Sequence, residues 1–176
     1  MSNPPEPARA ARHSSADFVF ETFVMAGIAG TLVAVFFLFV DLIRSEPLFT
    51  PSLMGSVLFL GMEPEAVTEV RLDMVAWYSC VHFASFLAFG ALIAFVAHEA
   101  ELHARHPVLL LFGVFLLVEA AFFIAATLWL PGVVAVVGRL EIAIANLMAA
   151  GGMVFFLVAT HRPQVWDKVK RGTHMA

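Results

Sequence analysis

The sequence predicts an all-α protein in which four helices form a bundle across a membrane. Hydrophobic residues make up 61% of the chain and charged residues only 14%, whereas soluble domains average roughly 45–50% and about 25%. The apolar residues are gathered into four blocks, each long enough to cross a hydrocarbon core of roughly 30 Å. Proline interrupts helices. The prolines near the four blocks lie at or beyond the ends of the blocks: Pro47, Pro51, Pro107, Pro131 and Pro163.

The first span is predicted over residues 17–43. Residues 1–16 before it are rich in Pro, Ala and Arg and show no apolar periodicity, which is typical of a disordered tail. Glu21 and Asp41 bracket the uncharged part of the span and are expected at the two head-group levels. Small residues four positions apart let a second helix approach closely. Two such pairs occur here: Ala26 with Gly30, and Gly27 with Thr31.

A short helix is predicted over 51–60, in the long connection after the first span. Thr50 precedes Pro51, the order of an N-cap followed by proline at the first helical position, and Gly61 follows as a stop. Such a helix measures about 15 Å, half of what a bilayer requires. We therefore expect it at the extracytoplasmic interface or tucked against the bundle.

Three further spans are predicted at 72–102, 107–130 and 138–161. The apolar stretch 133–137 is too short to span and is interpreted as a turn. A basic tail, 162–176, closes the chain. The predicted organisation is thus one membrane domain, 17–161, between two cytoplasmic tails.

Lysine and arginine placement predicts the orientation. With the N-terminus inside, seven basic residues lie on the inner side and three on the outer side, so the positive-inside rule favours both termini in the cytoplasm. The expected location is the bacterial cytoplasmic membrane. The inner residues are Arg9, Arg12, Arg105, Arg162, Lys168, Lys170 and Arg171, and the outer ones are Arg44, Arg71 and Arg139.

Polar side chains at similar depth in the outer half of the bundle form a predicted buried polar cluster: Tyr78, His82, Glu119, Glu141 and Asn146. Intramembrane ionisable residues often mark proton, ligand or metal sites. They also serve as interhelical hydrogen bonds that fix helix register. Both interpretations stay open, and His82 is expected near Glu119 first, then near Asn146 or Glu141.

A weaker metal-site pattern lies at the inner end of the second span. Glu99, His103 and His106 follow an i, i+4, i+7 spacing and share one helical face. The alternative is a solvated helix end, because loose spacings of this kind often match by chance. No cofactor is predicted.

The sequence favours a non-catalytic accessory, assembly or structural subunit of a membrane complex. It contains no phosphate-binding loop, HExxH or CxxC motif, and no basic stripe for nucleic acid. The expected partners are the lipid bilayer and other membrane subunits or copies of itself. The alternative is a small transporter or a membrane redox component that uses the His/Glu cluster.

Overall fold

The computed structural model describes residues 15–99 and 107–161, and these residues form helices without any strand. A short 3₁₀ turn, Pro64–Ala66, precedes the third helix. The helices are α1 (Ser15–Ile43), α2 (Phe49–Leu60), α3 (Leu72–Glu99), α4 (Pro107–Trp129), α5 (Val133–Val137) and α6 (Arg139–His161). The all-α prediction is confirmed, while most of the two predicted tails lies outside the described residues.

Four of the helices are long and apolar enough to cross a membrane, each contributing a stretch of 22–26 residues. A helix satisfies its own backbone hydrogen bonds, so it can cross lipid where an irregular chain cannot. The four predicted spans are confirmed as helices, as expected of a multi-pass membrane protein. Their N-in/C-in orientation stays a prediction.

The long helices pack in the order α3, α1, α6, α4. Small residues bring the backbones together: a Cβ at Gly90 of α3 would lie 2.7 Å from the Thr22 carbonyl oxygen of α1. On the other side of α1, a Cβ at Gly152 of α6 would lie 2.7 Å from Leu32 Cδ1. Within the described residues α3 and α4 do not pack along their length, so the bundle is open between them.

Helix α2 packs against the bundle, mainly on α3. Ser52 is fully buried, and its hydroxyl oxygen accepts the backbone N–H of Arg71 at 2.8 Å. The predicted N-cap is wrong. Thr50 is the second residue of the helix, and the N-cap is Leu48 in a left-handed conformation with no side-chain cap. The Thr50 N–H is accepted instead by the carboxylate of Asp41, which is buried between the end of α1 and the start of α2.

The predicted turn at 133–137 is the five-residue helix α5. Val133 and Val137 are buried in it, because α5 packs against α2 and α6. Gly132 precedes α5 with φ 79°, a conformation that favours glycine. Its backbone lies against Pro64 of the 3₁₀ turn. The connections at this end of the bundle therefore form one packed layer.

Two apolar cores follow from this packing. One core joins α1, α3, α4 and α6 around Met25, Ala149 and Met153. The other joins α2, α5 and the neighbouring ends of α4 and α6 around Leu53 and Val133. The candidate site lies between these two cores.

Candidate functional site

His82 lies on α3 and hydrogen-bonds to the backbone of α1. Its Nε2 is 3.0 Å from the Gly30 carbonyl oxygen. A carbonyl can only accept, so Nε2 carries the proton. The ring also packs edge-on against Phe83 and Phe86, with centroids at 5.2 and 5.0 Å. The expected contact between His82 and Glu119 is not formed, because Gly30, which has no side chain, brings its own carbonyl within reach.

Glu119 instead pairs with Asn146. The Asn146 amide nitrogen donates to Glu119 Oε2 at 2.6 Å, which links α6 to α4. Asn146 is buried and Glu119 is half-buried. The sequence placed both side chains at similar depth but did not identify them as a pair.

Glu141 lies apart from the other polar residues, in an ion pair at the end of the bundle. Its Oε1 accepts a hydrogen bond from the Arg44 guanidinium at 3.0 Å, which joins the start of α6 to the end of α1. A second ion pair at this end joins Arg71 to Asp73 at 2.8 Å. The hydrogen bond that the Arg71 guanidinium donates to Asp73 raises the pKa of Arg71.

Tyr78 lies one helical turn before His82, with the two ring centroids 6.0 Å apart. The tyrosine is half-buried. Its hydroxyl has no hydrogen-bond partner in the described part of the chain. The hydroxyl oxygen is not among the fully buried atoms that lack a partner, so it is open to a ligand or to water.

A cavity of about 600 Å³ lies between the two apolar cores. Tyr78, His82 and Asn146 line it, whereas Glu119 and Glu141 do not. Three of the five predicted cluster residues therefore face one space, although no common hydrogen-bond network joins them. The volume falls within the range of small-molecule sites, roughly 300–1,000 Å³.

Most of the cavity wall is apolar or aromatic, and α2 contributes Met54 and Leu58 where it closes one end. Among the described residues, no Lys, Arg, Asp or Glu lines the cavity. The hydroxyls of Ser79 and Ser85 donate to carbonyls of their own helix. Thr50 also lines the cavity, but its hydroxyl donates to Asp41. Tyr78, His82 and Asn146 thus keep the polar atoms that could meet a ligand.

The predicted inner metal site cannot be placed. His103 and His106 lie outside the described residues, and only the backbone of Glu99 is described, at the end of α3. In the rest of the described chain, no three His, Cys, Asp or Glu side chains come together in a metal-binding group.

Sequence reasoning missed the buried pair of Asp41 and Thr50, joined by two hydrogen bonds of 2.8 and 2.6 Å. A carboxylate at the end of a span suggested a head-group position, since charged residues commonly mark span ends. The available signal was the short separation along the chain between Asp41 and Thr50. The pair of Ala26 and Gly30 indicated a close helix approach, but it did not identify the Gly30 carbonyl as the partner of His82, because every residue carries a carbonyl.

Comparisons with family models, curated proteins and solved structures found no match to this chain. No residue role is therefore carried over from a relative. The function is inferred from the contacts of the chain itself.

Proposed function

We propose that the protein is a non-catalytic membrane component, an accessory, assembly or structural subunit of a larger complex. The observation that carries this proposal is the way its interior polar groups are bonded. His82 joins α3 to α1, and Asn146 joins α6 to α4. Such separate bonds between helix pairs fix register and packing in membrane proteins.

An exposed strip of α1 supports association with another helix. Ala26 and Gly30 are buried, and Gly30 lies against Phe83 and Phe86 of α3. The second small-residue pair, Gly27 and Thr31, is exposed, and a Cβ at Gly27 would meet no atom within 4 Å. A partner helix can approach α1 closely at this strip.

A photo-crosslinking residue at Thr31, introduced in the native membrane, tests the association. Ile124 on α4 is the matched control, because it is exposed like Thr31 and also lies within an apolar span. We expect protein adducts from position 31, either a second copy or another subunit, and lipid adducts alone from position 124. Gly27→Leu should reduce the adduct. A monomer in mild detergent without a position-31 adduct would contradict the proposal.

A small transporter or membrane redox component is the second candidate function, and the cavity beside His82 favours it. This candidate predicts that Glu119→Gln and His82→Ala abolish transport or electron transfer while the fold is kept. The first proposal predicts that the same variants only lower the melting temperature. Measuring both quantities on the same preparations separates the two functions.

We also propose that both termini face the cytoplasm of a bacterial cell and that α2 lies at the outer face. The support is the seven-to-three distribution of Lys and Arg. Single cysteines at Ser2 and Glu46, in a Cys80→Ser background, test it with a membrane-impermeant maleimide. Position 46 should be labelled in intact cells and position 2 only after lysis. The reverse pattern would overturn the orientation.

A further inference from the structure

We propose that the cavity between the two apolar cores binds a neutral, lipid-soluble phenol, an aromatic ring that carries one hydroxyl group on an otherwise apolar body. This goes beyond the accessory role, which does not require a ligand. Size is the first argument. A space of about 600 Å³ falls within the roughly 300–1,000 Å³ of sites that hold small organic molecules.

The walls indicate that the body of the ligand is apolar. Valine, alanine, leucine and phenylalanine side chains make up most of the lining and come from α1, α3 and α4, with Leu58 from α2, and both cores contribute to it. Most of the lining residues belong to the four helices that are long and apolar enough to cross a membrane, and α3 and α4 are not packed along their described length. A lipid-soluble molecule can therefore reach it from the bilayer.

Aromatic side chains favour a ring over a plain alkyl chain. Phenyl rings from three helices, Phe37, Phe86 and Phe122, line the cavity together with Trp129. Aromatic rings pair in offset or edge-to-face arrangements that contribute beyond the apolar area alone. Rings presented from several directions suit a planar aromatic group better than a flexible chain.

The polar atoms beside the rings specify a hydroxyl group. Tyr78 has a hydroxyl with no partner among the described residues. His82 uses Nε2–H for Gly30, so Nδ1 of the neutral ring is an acceptor. A ligand hydroxyl can accept from Tyr78 and donate to His82 Nδ1 at the same time. A carbonyl or an ether can only accept and would leave Nδ1 without a donor.

The absence of charge in the lining selects a neutral ligand. None of the lining residues in the described part of the chain is Lys or Arg, so a carboxylate or phosphate would lack a countercharge there. None is Asp or Glu, which disfavours a cation equally. An unpaired charge in such surroundings is strongly unfavourable.

A direct binding experiment tests the proposal. Tritiated 4-tert-octylphenol is added to the full chain in lipid nanodiscs, and the bound ligand is measured by scintillation proximity. Two unlabelled competitors share the same body: 4-tert-octylanisole lacks the hydroxyl proton, and 4-tert-octylbenzoic acid carries a negative charge at neutral pH. We expect saturable binding of the phenol. The anisole should compete about 3- to 10-fold more weakly, the range that one hydrogen bond supplies, and the benzoate more weakly still.

Two variants locate the ligand. Tyr78→Phe removes only a hydroxyl that has no partner in the described chain, so it should keep the fold and lower phenol affinity about 3- to 10-fold. Ala121→Phe adds a ring at a residue that lines the cavity and should abolish saturable binding. Ala120→Phe is the control. Ala120 is next to Ala121 in the chain, but it is exposed and does not line the cavity.

Several results would overturn the proposal. Equal binding by Ala121→Phe, or no saturable binding by the unmodified chain, would show that the cavity is not a phenol site. Equal competition by phenol and anisole, together with an unchanged Tyr78→Phe variant, would refute hydroxyl recognition. Tighter binding of the benzoate would refute the neutral class. Tyr78→Phe loses no described contact. Its affinity for the phenol therefore tests recognition of the hydroxyl group even if the Ala121→Phe variant unfolds.

Discussion

The carboxylate of Asp41 caps a helix that begins eight residues further along the chain. Its Oδ2 accepts the Thr50 backbone N–H at 2.8 Å, and its Oδ1 accepts the Thr50 hydroxyl at 2.6 Å. Only 1% of Asp41 is exposed. An acid near a helix N-terminus satisfies a free N–H and complements the helix dipole. The end of α1 therefore fixes the start of α2, which closes one end of the cavity.

Asp41→Ala should lower the free energy of unfolding by about 2–3 kcal/mol, because it removes a cap and leaves two buried donors of Thr50 without an acceptor. Asp41→Asn keeps an acceptor oxygen and should cost less. Unfolding by SDS titration from mixed micelles measures both. Glu46→Ala is the control, since Glu46 is exposed, and it should change little. Equal losses at positions 41 and 46 would show that the cap does not matter.

Two glycines in different spans should respond in opposite directions to alanine. A Cβ at Gly90 would lie 2.7 Å from the Thr22 carbonyl oxygen, which belongs to rigid backbone, whereas a Cβ at Gly113 would meet nothing within 4 Å. Gly90→Ala should therefore lower the melting temperature by forcing α3 away from α1. Gly113→Ala should leave it unchanged or raise it, because alanine favours helix. Two equal decreases would contradict the packing of α3 on α1.

The spans were predictable because lipid requires each crossing segment to be a continuous apolar helix. Hydropathy therefore locates α1, α3, α4 and α6 to within a few residues. The same apolar character on all sides of a helix hides which side faces its neighbours. The rotation of α3 about its own axis decides whether His82 contacts Glu119 or the Gly30 carbonyl. The sequence could place both polar residues at a depth, but it could not choose between those partners.

The cavity itself was not predictable from sequence. It depends on α2 covering one end of the bundle and on α3 packing against α1 instead of α4. Tyr78 and His82 were recognisable as one helical face, since they are four residues apart. Asn146 joins the same space only through the packing of α6, which a local pattern does not determine.

The ion pair between Arg44 and Glu141 should contribute little to stability. The two side chains are 40% and 31% exposed, and pairs of this kind contribute about 0.2–1 kcal/mol. Arg44→Ala should therefore lower the free energy of unfolding by less than Asp41→Ala does. High salt should reduce the effect of Arg44→Ala further, because it screens the ion pair. A loss above about 2 kcal/mol would place the pair in a far less solvated setting than its exposure indicates.

The bond between Asn146 and Glu119 should appear as a coupling energy in a double-mutant cycle. Asn146 Nδ2 lies 2.6 Å from Glu119 Oε2, and interhelical hydrogen bonds in membranes contribute about 0.6 kcal/mol on average and about 1.7 at most. Asn146→Leu and Glu119→Leu should each destabilise the protein, and the double variant should lose less than their sum by about that amount. SDS unfolding measures each corner of the cycle.

His82→Leu combined with Asn146→Leu is the matched control for that cycle. Both residues line the cavity, yet His82 bonds to Gly30 and Asn146 to Glu119, so their effects should add. Coupling at the control pair and none between positions 119 and 146 would mean that the polar residues act through the cavity and not through their own bonds. That result would favour the ligand-based second function over the structural one.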